Sequence, residues 1–353
     1  MQIPGAQLAQ HLQRGRRALY ALHGDEPLLQ LEALDTLRRT AREAGFTERQ
    51  SLSLSGAHVD WSAVLAATQS MSLFGDRQLV ELRLPTGKPG KEGGAALQQI
   101  AETVAQQDAV MVVVALPRLD AATQKSAWFA ALEQHGVVVR IDPIERAQLP
   151  LWIAQRLQQQ GQRVPPGDEG QRLLAFMADR VEGNLLAAHQ EIVKLGLLYP
   201  TGELSAAQIE SAVLNVARYD PFKLTEAVLD GQLVRAQRML DGLAAEGTAP
   251  VQVHWALADE VRSLWHVKQA VANGTPLPMA LRAQRIWGAK EKRFEKILPR
   301  LTLDQLRAWV QDCHVVDGIA KGLRHPAWPH DAWAALHQLA FQIGRACQPV
   351  RAH

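Results

Sequence analysis

The feature that constrains this chain most is a change of hydrophobic rhythm near Pro143. Before it, short runs of strand-forming residues alternate with longer stretches of helical period. After it, helical periods follow one another to the end. The strand-like runs are Ala18 to Leu22, Ser51 to Leu54, Leu79 to Leu84, Val110 to Leu116 and Val137 to Ile141. Helical stretches separate them. The first carries Leu28, Leu31, Leu34, Leu37, Ala41 and Ala44, opens with Asp25 and Pro27, and closes at Gly45; the others lie near 60–69, 93–107 and 121–135. Parallel strands need such crossovers, so the expected fold class is α/β plus all-α: a parallel five-stranded sheet covered on both faces, then helices only. Val112, Val113 and Val114 suit a central strand, whereas Val80-Glu81-Leu82-Arg83-Leu84 alternates and suggests an edge or a strand with one wet side.

In the helical part, Trp152, Ile153, Arg156 and Leu157 mark one helix and Leu173, Leu174 and Met177 another. Gly183-Asn184 introduces a third, with Leu185, His189, Ile192 and Leu195 along one side. Tyr199-Pro200-Thr201-Gly202 breaks the chain, and Ser205-Ala206-Ala207-Gln208 fits a capping box. A second helical block begins beyond Tyr219-Asp220-Pro221, with Leu257, Val261, Leu264 and Trp265 on one helix and Leu303, Leu306, Val310 and Cys313 on another. The chain of 353 residues is thus expected to fold as three domains, 1–142, 143–212 and 213–353. Six of the nine tryptophans (Trp255, Trp265, Trp287, Trp309, Trp328, Trp333) lie in the last, where such residues usually pack an interior or a subunit interface.

Composition removes several functions. Two cysteines, Cys313 and Cys347, make neither a disulfide framework nor a four-thiolate zinc module, which points to a reducing, cytoplasmic setting. The opening residues lack the apolar core of an export signal, and the longest clean apolar run, Ala109 to Leu116, is far short of the ~20 residues of a membrane span. A net charge of +2 leaves nucleic-acid binding undecided.

Catalytic motifs are missing where such a fold would carry them. The turn after the first strand reads His23-Gly24-Asp25-Glu26-Pro27-Leu28-Leu29, without the glycines, lysine and hydroxyl that hold nucleotide phosphates and magnesium. Asp25 and Glu26 favour the helix dipole and repel phosphate. Gly24 has no partner glycines for a dinucleotide fingerprint, and Leu82-Arg83-Leu84-Pro85 ends its strand without an acidic pair. No HExxH, GxSxG, CxxC or EF-hand loop occurs. Neighbouring Cys313 and His314 point apart on a helix, and His325 and His330 lack further metal ligands. No catalytic, cofactor or metal residue is therefore expected.

Two segments suggest binding. Leu281 to Arg300 carries seven Lys and Arg (Arg282, Arg285, Lys290, Lys292, Arg293, Lys296, Arg300) with Trp287 and Phe294 between them. It reads either as a DNA-facing surface or as a solvated helix face balanced by Glu291 and Glu295. The segment Gln69-Ser70-Met71-Ser72-Leu73-Phe74-Gly75-Asp76 places three large apolar side chains where polar turn residues are usual. Either it tucks into its own core, or it anchors a partner.

Tyr20-Ala21-Leu22-His23-Gly24-Asp25-Glu26-Pro27-Leu28-Leu29, the Ser70-Met71-Ser72-Leu73-Phe74 loop, Trp128-Phe129-Ala130-Ala131-Leu132, and Gly183-Asn184-Leu185-Leu186 leading to Glu191-Ile192-Val193-Lys194-Leu195 occur in that order. In order and spacing they resemble the delta-subunit family of the bacterial DNA polymerase III clamp loader, over essentially the whole chain. The resemblance implies a RecA-like AAA+ type domain (1–142) with a degenerate nucleotide site, a small helical lid (143–212) and a helical collar for oligomerisation (213–353). ATP-using relatives carry an arginine in a Gly-Asp-x-Arg pattern, and the matching position here is Leu186. It further implies a subunit without catalysis or cofactor of its own in the DNA-directed DNA polymerase III (nucleotidyltransferase) holoenzyme. Its partners would be the beta sliding clamp, the gamma/tau and delta-prime subunits of a heteropentamer, and primed DNA, with no membrane. Leu73 and Phe74 would enter a pocket of the clamp, with Gln69, Ser70, Met71 and Ser72 completing the element, and the subunit would open the ring. The competing expectations are an atypical nucleotide-dependent α/β enzyme and a stand-alone DNA-binding protein using Arg282, Arg285, Lys290, Lys292, Arg293 and Lys296.

Overall fold

A computed structural model describes residues 1–55, 59–69, 77–213 and 217–348. They divide into two compact units, Met1–Gln160 and Gly161–His353.

The first unit holds strands β1 (Gln2–Pro4), β2 (Leu19–Gly24), β3 (Phe46–Ser53), β4 (Arg77–Arg83), β5 (Val110–Leu116) and β6 (Val137–Ile141). They form one parallel sheet in the order β1-β6-β2-β5-β4-β3. Helices α1 (Leu8–Gln13), α2 (Pro27–Glu43), α3 (Trp61–Gln69), α4 (Gly90–Val104), α5 (Ala121–Gln124), α6 (Ala127–His135) and α7 (Leu149–Gln159) accompany it. Alternation along β5 divides the core as the two-residue period of a strand requires. Val112 and Val114 pack with Leu97, Ile100, Phe129 and Leu132 on one face, and Met111 and Val113 with Leu34, Leu37 and Ala41 on the other.

Two expectations change. The sheet has six strands rather than five, because Gln2–Pro4 adds to β6 outside β2. The alternating strand is not an edge: β4 lies between β5 and β3, and Glu81 is 1% exposed. Its polarity is answered inside the protein. Arg38 on α2 donates to both Glu81 oxygens, at 2.7 and 2.6 Å.

Among its described residues the second unit is helical apart from one two-residue parallel pair, β7 (Gln162–Arg163) with β8 (Gly202–Glu203), which the helical periodicity does not announce. Helices α8 (Asp168–Val181), α9 (Leu185–Leu198) and α10 (Ala206–Ala212) accompany that pair, and Ser205 and Gln208 make the expected capping box. Helices α11 (Pro221–Leu229), α12 (Leu233–Ala245), α13 (Pro250–Ala272), α14 (Leu277–Ala283), α15 (Ala289–Ile297), α16 (Leu303–Ala320) and α17 (Ala332–Cys347) follow. They close around Leu224, Leu264, Leu306 and Leu339. Ion pairs Arg235–Glu182 and Arg238–Asp179 tie α12 to the end of α8. Gly183 is required there: its φ is +74°, and a Cβ would stand 2.0 Å from the Arg218 carbonyl oxygen.

Candidate functional site

In an open parallel sheet, ligands bind outside the carboxyl ends of the strands where the strand order reverses. Here that place is the turn from β2 into α2, flanked by the ends of β4 and β5. A crevice of about 560 Å³ opens there, lined by Gly24, Asp25, Leu31, Arg83 and Leu116 among others. Gly24 pairs with Ile141 so closely that a Cβ would stand 1.9 Å from the Ile141 oxygen. The groups a phosphate would need are otherwise engaged. Glu26 Oε1 accepts the Leu28 N–H at 3.4 Å and caps α2, while Pro27 in the first turn has no N–H to offer. Burial raises the Glu26 carboxyl pKa, opposed by that hydrogen bond. Asp25 Oδ1 accepts the Arg118 N–H at 2.9 Å, and Gln30 Nε2 donates to the Leu116 oxygen at 2.9 Å, drawing α2 onto the end of β5. The helix N-terminus that binds anions elsewhere thus meets the chain's own carboxylates.

At the other end of the sheet lie the anchors of the apolar segment. Gln69 is the exposed last residue of α3, while Ser70, Met71, Ser72, Leu73 and Phe74 lie outside the described residues. The chain is described again from Arg77, the first residue of β4. Arg77 donates to the Ala44 oxygen at 3.0 Å and lies 5.7 Å from the Phe46 ring centroid, with Arg16 at 4.8 Å from the same ring. On the α3 side Thr68 is buried and its hydroxyl donates to the Leu65 oxygen at 3.0 Å. At the end of the sheet opposite the crevice, Arg77 is thus tied to the end of α2, and on the α3 side the last buried residue before the segment is Thr68.

The basic segment separates into two roles. Lys290 pairs with Glu260 at 2.9 Å, and Arg293 pairs with Asp230 at 2.9 Å and Glu226 at 3.5 Å, so these two fasten α15 to α13 and α11. Arg300 donates to the Lys296 and Gln348 oxygens. Arg282, Arg285, Lys292 and Lys296 are exposed, without an ion pair among the described residues. Phe294 is fully buried, whereas Trp287 is 62% exposed. The tryptophans thus divide: Trp309 is in the core and Trp265, Trp328 and Trp333 pack against it, while Trp255 and Trp287 face solvent. Trp255 meets Phe222 edge to face at 6.0 Å, both more than half exposed, a patch that periodicity alone did not single out.

Among the described residues no group of three or more His, Cys, Asp or Glu is placed to hold a metal ion. In the same residues no helix is long and apolar enough to cross a membrane. Burial raises the Cys313 and Cys347 thiols to about 12, leaving both protonated and inert at neutral pH.

The sequence model of the family described as "DNA polymerase III, delta subunit" matches residues 20–142. That described as "Processivity clamp loader gamma complex DNA pol III C-term" matches residues 221–347. The chain is 35% identical over 307 residues to DNA polymerase III subunit delta of Escherichia coli K12, spanning 86% of each. To the subunit of that name from Haemophilus influenzae it is 27% identical over 351 residues, spanning 96% of this chain and 97% of the relative. Among solved structures, the DNA clamp loader delta protein of Bacillus subtilis shares the fold, with a TM-score of 0.51 at 16% identity over 97% of this chain and 99% of the other.

Proposed function

The chain belongs to the DNA polymerase III delta-subunit family, and from that premise we propose that it binds the beta sliding clamp through residues 69–74 and opens the ring for loading onto primed DNA. The observation that carries this reading is the apolar Met71-Ser72-Leu73-Phe74 stretch, set between buried Thr68 and the tethered Arg77 of an AAA+ type domain. Leu73 and Phe74 are the anchors in the clamp pocket, and Gln69, Ser70, Met71 and Ser72 complete the contact.

The work is mechanical. A closed ring has a minor open form, and a partner that prefers the open form raises its population. Moving such an equilibrium from 1:99 to 99:1 takes about 5.5 kcal/mol of differential binding. Burying one leucine and one phenylalanine supplies ~1.5 to 3 kcal/mol each, the right order if most of the contact forms only with the open ring. Nucleotide chemistry then belongs to neighbouring subunits, in keeping with a turn where Glu26 and Pro27 stand in for phosphate-binding donors. Residues 143–212 act as the lid and 213–353 as the collar that joins gamma/tau and delta-prime subunits in a pentamer. Arg282, Arg285, Lys292 and Lys296 face DNA in that assembly, with Lys290 and Arg293 holding α15 in place.

The test is binding of the purified chain to the beta clamp without nucleotide, wild type against Leu73→Ala/Phe74→Ala. The expected result is binding by the wild type and a loss of 10²-fold or more in a double variant with an unchanged circular dichroism spectrum and melting midpoint. Equal binding by the two proteins refutes the assignment of the anchors. Unfolding of the double variant would mean that these side chains serve the chain's own core.

A further inference from the structure

The end of the sheet that carries Arg77 holds a cluster of arginines that the function proposed so far leaves unused. No Asp or Glu occurs before Asp25, so the turn Arg14-Gly15-Arg16-Arg17 has no counter-charge of its own. The fold ties that turn to the start of β2. The Arg17 N–H donates to the Tyr20 hydroxyl at 2.9 Å, and that oxygen lies 3.3 Å from His11 Nε2. Burial lowers the His11 pKa, and Arg17 and Arg14 lower it further, so the imidazole is neutral at pH 7 and the charge there belongs to the arginines. Phe46, buried at the start of β3 and the register partner of Arg77, gathers the guanidinium groups of Arg16 and Arg77 on its ring. Arg42 stands in the last turn of α2, just before the Ala44 oxygen that Arg77 holds.

Arg14, Arg17, Arg42 and Arg77 are exposed and Arg16 is half-buried, and none of the five makes an ion pair among the described residues. Two exposed carboxylates share this end, Glu43 beside Arg42 and Asp108 on the turn into β5; they too are unpaired and leave the cluster positive. Crowded like charges favour an anionic partner. Guanidinium planes held on an aromatic ring lose little freedom on pairing, and their forks match carboxylates bidentately. The connection from α3 to β4, which carries Met71, Leu73 and Phe74, ends at Arg77, so the cations adjoin an apolar anchor along the chain itself. An apolar centre with a polar rim is the anatomy of a protein interface, whereas a phosphate contact has no use for the anchor.

We propose that Arg14, Arg16, Arg17, Arg42 and Arg77 form a cationic rim that meets an acidic surface of the beta clamp beside the pocket for residues 69–74 and speeds their encounter. The inference rests on the reading of the chain as a clamp-binding subunit. The rim sets the association rate and its salt dependence, while Leu73 and Phe74 set how long the complex lasts.

The test is the kinetics of the full chain binding to immobilised beta clamp over a series of salt concentrations. Arg16 and Arg77 are left in place because they pack on Phe46. The neutralised protein is Arg14→Gln/Arg17→Gln/Arg42→Gln, and the charge-keeping one is Arg14→Lys/Arg17→Lys/Arg42→Lys. At low salt the neutralised protein is expected to associate at least ~10-fold more slowly, with its dissociation rate within about twofold of the wild type. The difference should vanish near 1 M salt, where the screening length is about 3 Å. The charge-keeping protein should follow the wild type, and all three should share one melting midpoint. Equal association rates at low salt overturn the inference, as does a difference that persists at high salt. Anisotropy of a labelled primed DNA without clamp is measured on the same proteins. If neutralisation weakens DNA binding and spares clamp association, the arginines read phosphate and the inference fails. The two readings fail separately: wild-type binding that Leu73→Ala/Phe74→Ala leaves intact removes the anchors alone, and wild-type binding indifferent to neutralisation removes the rim alone. No wild-type binding at any salt removes both.

Discussion

The pair Arg38–Glu81 offers the sharpest test of how the sheet domain holds the proposed clamp-binding segment, because β4 begins at Arg77, directly after it. Glu81 has 2% of its side chain exposed and Arg38 20%, so the carboxylate is the member that cannot reach water. Replacing Arg38 by Met removes both donors and leaves Arg49, 3.9 Å from Oε1 and itself half exposed, as the remaining nearby cation. Removing one partner of a buried pair costs about 3 to 5 kcal/mol, and Arg49 offsets part of that, so roughly 3 kcal/mol is expected. Glu81→Gln should cost less, about 1 to 2 kcal/mol, since the freed guanidinium retains Asp35 at 2.8 Å and access to solvent. The double variant Arg38→Met/Glu81→Leu removes both charges and should lie nearer the wild type than Arg38→Met alone. Hydrogen exchange of β4 and α2 peptides, read by mass spectrometry, reports local stability without assuming that a chain of two units unfolds in one step. Protection in Arg38→Met should fall by about 10²-fold, at 1.4 kcal/mol per factor of ten. If Arg38→Met and Glu81→Gln lose equal protection, or the double variant is the worst of the three, the assignment of the buried carboxylate as the costly member is wrong.

Three further outcomes follow from the packing. Gly24→Ala should cost on the order of 3 kcal/mol or more, because its Cβ meets the Ile141 carbonyl at 1.9 Å. Gly94→Ala, inside α4 and in ordinary contact with Trp128 at 3.5 Å, should be neutral or stabilising by up to ~1 kcal/mol; melting midpoints that rank the two the other way would contradict the β2–β6 geometry. His254 is buried between α13 and α16 and donates Nε2–H to the Cys313 oxygen at 2.8 Å, with Asp317 at 3.6 Å from Nδ1. Burial is the main cause of its lowered pKa, with Arg262 and Lys321 adding to it against Asp317 and the Cys313 hydrogen bond. The unfolded chain therefore binds the proton first as pH falls below about 6.5, and stability drops from there down to the folded pKa. Denaturation curves of wild type and His254→Gln should converge over that range, and a constant gap between them would refute the linkage.

Much of this architecture was legible because buried parallel strands are written as apolar runs. Val110 to Leu116 and Val137 to Ile141 appear with the bounds read from the sequence, and the Leu28-to-Ala44 pattern marks α2 to within a residue at either end. Edges were less visible. In β3, Thr47 to Ser51 are polar and only Ser51 to Leu54 looks strand-like, while Gln2–Pro4 is too short to show a period. The interior place of β4 was hidden by Glu81, whose partner Arg38 lies 43 residues away. The same holds at the candidate DNA face: Lys290 and Arg293 looked equivalent to their neighbours until Glu260, Asp230 and Glu226 were brought to them by the fold. The turn 23–27 was readable in part, because Glu26 and Pro27 act through local chemistry that sequence order preserves, whereas the Arg118 N–H that Asp25 accepts comes from 93 residues away. Residues 70–74 lie outside the described residues, so the proposal for them rests on their sequence, on the family and on the ends that hold them.

The measurement that tests the central proposal most directly is opening of the beta ring itself. A clamp labelled with donor and acceptor across one subunit interface is mixed with excess purified chain in the absence of nucleotide, and energy transfer is followed over time. Transfer is expected to fall with wild-type protein and to stay at the closed-ring value with Leu73→Ala/Phe74→Ala. Saturating binding of wild-type protein with no change in transfer would contradict it, because the chain would then hold the clamp without opening it.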